Sequence, residues 1–201
     1  KFAVGFWKEA CDEGGLPWAD SNNNRAFLSG TISATINGAS IYVESLRNKE
    51  KYKTEKGALM HTDILHAPNP AGPAGVFHLH APFSHAVMGY SKNQKLAKDF
   101  LRWLHGKEQF EPWFVAQKGF SVGSTTDWEK HKMWEIDPVM LPYRTAARAF
   151  RLYGYAGPPG RAASEAESKY IITDMYAKAI QGMKPEDSVH WAESELKKIY
   201  A

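Results

Sequence analysis

The chain has one cysteine, Cys11, so no disulfide can form within it and the redox compartment is left open. No run of ~18 apolar residues is present, so no segment suits a membrane-spanning helix. No segment carries the charged start, apolar middle and small-residue exit of a secretory signal. Charge of one sign is scarce: 25 Lys and Arg against 22 Asp and Glu leave a net +3. That mild, mixed balance gives no basic face for nucleic acid, and no basic amphipathic helix argues for a membrane surface. The motifs G-x-S-x-G, P-loop, G-x-G-x-x-G and H-E-x-x-H are missing. The glycine-rich residues 154–160 follow no predicted strand, which removes them as a phosphate cradle. Internal repeats and low-complexity tracts are also lacking. What is there is a 201-residue chain with a 43% apolar share, enough for one core or two small ones.

The rest of the chain is organised around Asn24–Tyr42. Ala26, Phe27 and Leu28 finish a helix, and Gly30 suits a left-handed stop. One of the polar residues at 21–24 can cap that helix. Thr31–Ile36 alternates Ile32, Ala34 and Ile36, which predicts a buried strand. Asn37-Gly38 breaks it, and a helix is predicted over 39–48.

Residues 1–14 read as an amphipathic helix with Phe2, Ala3, Phe6, Trp7 and Ala10 on one face, ended by residues 12–15. The chain thus starts within a helix, and we expect a piece of a longer protein. Residues 59–65, 76–80 and 86–90 are strand-like, and 67–75 is too rich in Pro and Gly for helix. Helices are predicted over 93–104, with Leu96, Ala97, Phe100, Leu101 and Leu104 as its apolar stripe, and over 108–117. A further helix fits 145–152, and one long helix runs from 162 to a stop at Gly182. Pro185 opens the last helix, with Glu186 and Asp187 in its first turn and Lys197 and Lys198 in its last. Most of the seven tryptophans, Trp103, Trp113 and Trp191 among them, read as core because they lie near apolar stripes.

Three segments in order carry a resemblance. Ala26-Phe27-Leu28-Ser29-Gly30 is followed by Ala34-Thr35-Ile36-Asn37-Gly38. A strand, then Ser91-Lys92-Asn93, precedes Ala97, Phe100-Leu101 and Leu104. The chain ends G-x-x-P-E with Ala192, Leu196 and Ile199. Together they resemble the extracellular solute-binding proteins of ABC transporters, the carbohydrate-type, maltose-binding-protein-like group called family 1. Threonine at 35 and serine at 188 depart from the usual methionine and alanine.

The resemblance implies an α/β fold of the type II periplasmic-binding class. The chain would be its C-terminal half: the C-terminal lobe over 1–82 and 126–201, with 83–125 returning to the N-terminal lobe. It implies a non-enzymatic role. A small solute, a sugar or polyol, would be captured between lobes by hinge closure and passed to ABC permease subunits, in the periplasm or outside the cell. A piece lacking most of one lobe is expected to bind weakly and to leave a surface that a second copy can cover.

Three walls of the cleft follow from the resemblance. The first is Asn37, Ser40 and Tyr42; Asn37 also suits the turn, and Tyr42 the core. The second is Phe83, Ser84 and His85, where an imidazole suits hydroxyls and a phenyl ring suits a sugar's C–H face. A hinge-packing role fits them equally. The third is Tyr155 and Arg161, in a loop leading to a helix; Arg161 also reads as a plain surface residue. His61, His66, His78, His80 and His85 lie within 25 residues and raise zinc or copper as an alternative. With no cysteine partner, no metal and no cofactor is assigned. A metal- or carboxylate-based hydrolase, and a sensor module on the same fold, remain the alternative functions.

Overall fold

The computed structural model describes residues 1–10, 17–19, 21–79, 84–152, 154–155, 157 and 160–201. Cys11, the helix stop at 12–15, His80, Pro82, Phe83 and Tyr153 lie outside them. The described helices are α1 (Phe2–Ala10), α2 (Asn22–Leu28), α3 (Ser40–Arg47), α4 (Gln94–Leu104) and α5 (Lys107–Ala116), then α6 (Thr126–Glu129), α7 (Met133–Ile136), α8 (Arg161–Ser168), α9 (Ile171–Ile180) and α10 (Pro185–Tyr200). The described strands are β1 (His78–Leu79) and β2 (Phe150–Arg151), paired in parallel. Two compact units result, one of residues 1–22 with 152–201 and one of residues 23–151.

This corrects the α/β expectation: the described residues hold a mostly helical chain with one two-stranded ribbon. Residues 31–38 show the reason. A strand needs a ladder for its amides, but Thr31 and Ile32 N–H groups both donate to Ala26 C=O (2.9 and 3.3 Å). Gly30, at φ +77°, donates to Phe27 C=O (3.0 Å). The α2 terminus therefore takes the chain's first donors, and Ile36 is 83% exposed. Alternation marks a face but supplies no neighbouring strand. Residues 59–65 likewise form a 3-10 turn at Met60–Thr62, and 86–90 are irregular.

In the 23–151 unit, the core gathers Ala39 and, from α3, Ile41, Tyr42 and Val43 with Ile64, Phe114, Met133, Trp134 and Met140. Aromatic rings fill its centre. Phe110, Phe114 and Trp128 lie 4.8–6.1 Å apart, and Trp134 Nε1–H donates to Trp128 C=O (2.8 Å). Gly123 fits beneath Trp128, whose side chain fills the space an added methyl would need. The α4 stripe behaves otherwise: Leu96, Phe100 and Trp103 are exposed, as is Trp113 on α5. Trp103 and Trp113 are thus not core residues, because helical spacing shows an apolar face without showing what covers it.

In the other unit, α1 and α9 meet through Trp7 and Tyr176 (ring centroids 6.4 Å). Val4, Ile171, Ala179, Ser188 and Ala192 are buried. The long helix expected from 162 is two helices, divided where Tyr170 adopts φ +53°. Gly182, at φ +110°, donates to Ala179 C=O, and Met183 N–H donates to Lys178 C=O, closing α9 where the sequence places its stop.

Candidate functional site

The entry to α3 carries a connected set of neutral polar side chains. Asn24 on α2 donates Nδ2–H to Ser40 Oγ (3.0 Å), and its Oδ1 accepts from Asn37 Nδ2 (2.6 Å). Asn37 Oδ1 accepts from Gly38 N–H (2.7 Å), and Asn23 Nδ2–H reaches Thr35 Oγ1 (3.5 Å). Residues 33–38 are exposed. The first turn of α3 has no side-chain cap at Ala39, which leaves its leading N–H groups pointing out of the helix end. Asn24 retains a second amide hydrogen and Ser40 its own hydroxyl hydrogen. The arrangement offers donors and acceptors without net charge, the chemistry that matches hydroxyl groups.

Tyr42 sits on the same helix but faces inward. It is 4% exposed, and its hydroxyl donates to Asp137 Oδ2 (2.6 Å). Burial, then the Asp137 hydrogen bond and charge, push its phenol well above the ordinary range. Asp137 Oδ1 accepts from Val139 N–H (3.2 Å), and His66 Nδ1–H donates to Val139 C=O (3.0 Å). His66 lies edge-on to Tyr42 and Tyr143. Tyr42 thus anchors α3 beneath the asparagine and serine side chains.

The fold brings Asn37 and Ser40 together through Asn24. Ser84 is exposed, and His85 Nδ1 lies 3.1 Å from His105 Nε2. Tyr155 and Arg161 belong to the 1–22 and 152–201 unit. Tyr155 N–H donates to Leu152 C=O (3.1 Å) across a turn at Gly154 (φ +70°), and Arg161 begins α8 at the surface. The described members of the histidine cluster disperse: His61 Nδ1 is buried without a partner, His66 holds Val139, and His78 lies edge-on to Phe150. Among the described residues no group of three or more His, Cys, Asp or Glu side chains could hold a metal ion.

Sequence reasoning missed Asn24, Asp137 and His105. The signal for Asn24 was the polar run 21–24, which reads equally as loop. Asp137 lies 95 residues from Tyr42 and left no local trace. One ion pair and one hydrogen bond to a carboxylate stiffen the same unit. Buried Glu129 accepts a forked contact from Arg148, whose hydrogen bond holds its carboxyl below the usual range. Glu111 is lowered by its hydrogen bond with His131 Nε2 (2.9 Å). Since His131 Nδ1 accepts from Met133 N–H (3.1 Å), its proton sits on Nε2.

The chain belongs to the bacterial extracellular solute-binding proteins: the family model of that description matches residues 1–142. No curated protein and no solved structure matches the chain. The match starts at the first residue and covers the first two thirds or so of the chain, which overturns its assignment as the C-terminal half of a family 1 member. The C-terminal ending that contributed to that assignment lies outside the matched residues. Membership carries a general transport-related binding role without catalysis, outside the cytoplasm, with a membrane permease as the general partner.

Proposed function

We propose that this chain is the substrate-binding component of an ABC importer and captures a small hydroxyl-rich solute, a sugar or polyol, for delivery to its permease. One observation carries the reading: the uncharged Asn24–Asn37–Ser40 set at the entry to α3, with Asn37 exposed and Asn24 and Ser40 half-buried, lies within the residues that match the family. A sugar hydroxyl both donates and accepts, so it gains most from side chains with the same dual capacity. A carboxylate or phosphate solute would instead call for arginine or lysine, and none belongs to this hydrogen-bonded set. Ser84 and His85, in the same unit, extend the reading as further contact residues.

A thermal-shift screen tests the solute class, because a ligand of the native state raises the unfolding midpoint. Sugars and polyols are expected to raise it, and amino acids and inorganic anions to leave it unchanged. A shift confined to amino acids or anions would replace the sugar reading.

A further inference from the structure

His85 and His105 are 20 residues apart in sequence and adjacent in the fold. Their facing nitrogens, Nδ1 and Nε2, are 3.1 Å apart; the ring centroids are 5.2 Å apart and the planes 69° to each other. Two imidazoles at this separation can share a proton, or both can turn a lone pair toward one cation. With metal–nitrogen bonds of about 2.0–2.1 Å, two nitrogens on one ion lie about 2.9 Å apart at a right angle and about 3.4 Å at the tetrahedral angle. The observed distance falls between these limits. Passing from the proton-sharing arrangement to the metal-binding one needs only ring rotations, and both residues are exposed.

The surroundings suit a cation. His105 is the C-cap of α4, and its N–H donates to Leu101 C=O (3.0 Å), so the pair sits at the negative end of an 11-residue helix. The His105 ring stacks on Phe110 (5.9 Å, 23°), and Phe110 packs on Trp113, Phe114 and Trp128. One ligand is therefore held in place by the aromatic core before an ion arrives. Arg102, one turn earlier on α4, is engaged by Asp99 (2.9 Å).

We propose that His85 and His105 form a two-imidazole site for a borderline divalent transition metal ion of the copper, nickel and zinc class. Water completes the coordination shell, since both histidines are exposed. Imidazole ligands favour these ions over magnesium and calcium, and copper binds tightest of the series. The site rests on the His85–His105 geometry and not on the Asn24, Asn37 and Ser40 hydrogen bonds that carry the solute reading.

The test is calorimetric titration of the full chain with Cu2+, Ni2+, Zn2+ and Mg2+ alone, in a non-coordinating buffer, beside the variants His85→Gln and His105→Gln. The expected result is one equivalent of each transition metal, none of Mg2+, and affinity lowered at least about tenfold in either variant, since loss of even an outer-shell partner costs about 10–100-fold. Circular dichroism checks that each variant keeps its helices. A variant that loses them hands the decision to paramagnetic resonance of the Cu2+ form of the unaltered chain. Two equatorial imidazole nitrogens support the site, and one or none overturns it. Unchanged affinity in either folded variant also overturns it, as does absence of stoichiometric binding.

Discussion

The two compact units reach stability by different routes. Residues 23–151 build a core from short helices and turns, with large rings that meet across long stretches of sequence: Phe114, Trp128 and Trp134 pack on one another and on Met140. Residues 1–22 and 152–201 pack helices chiefly through aliphatic and small side chains; Val4, Ile171, Ala179, Ser188 and Ala192 are almost wholly buried, and Trp7 meets Tyr176 between α1 and α9. Their ion pairs differ too. The first unit buries Glu129 against Arg148, whereas Lys1–Glu186, Lys169–Glu165 and Lys197–Glu193 of the second lie at the surface. Ring packing concentrates stability in few residues, while helix packing spreads it over many.

The largest expected effect is therefore in the aromatic unit. Trp134→Ala should cost about 3–5 kcal/mol, because a side chain 1% exposed leaves a cavity its neighbours cannot fill. Urea denaturation followed by circular dichroism measures it, and a cost below about 1 kcal/mol would show that the ring is not the keystone. Tyr42→Phe comes next at about 2 kcal/mol, since it removes a hydrogen bond to the Asp137 carboxylate and keeps the ring. The same denaturation experiment reads it.

In the helical unit the expected effects are smaller. Gly182→Ala should cost about 1–2 kcal/mol, the penalty of a left-handed backbone for a residue with a Cβ, since nothing lies within 4 Å to clash. A larger loss would reveal packing at that turn.

The smallest contrast is in acid. Glu129's carboxyl is lowered in the folded chain by the Arg148 hydrogen bond. Its contribution is therefore fully present above the ordinary carboxylate value of 4.5 and is lost as pH falls through the lower, folded value. Comparing midpoints at about pH 7 and about pH 3, Glu129→Gln should be less stable at the higher pH and show a shallower acid fall. Surface pairs such as Lys197–Glu193 are expected to respond to added salt more than to substitution.

The sequence was legible where one helix could be read by itself. The α10 start at Pro185, the stops at Gly30 and Gly182, and the helices around 40–47, 94–104 and 107–116 all rest on local rules of capping, dipole and glycine backbone. It was not legible where hydrogen bonds or a backbone turn that no residue type announces decided the outcome. The strand expected over 31–36 fails because α2's carbonyls capture its first amides. The long helix from 162 breaks at Tyr170, where no glycine or proline marks the change. For the candidate site, Asn37 and Ser40 were visible from the Asn-Gly break and the helix start. Their partner Asn24 was visible only as one polar residue among four.

The most direct test of solute capture is titration of the sugar or polyol found by screening into the unaltered chain and into Asn37→Ala. Saturable binding in the unaltered chain, weakened about tenfold in the variant by loss of roughly 1.4 kcal/mol of hydrogen bonding, is the predicted result. Equal affinity in a folded Asn37→Ala variant, or no sugar or polyol bound by the unaltered chain, would contradict it.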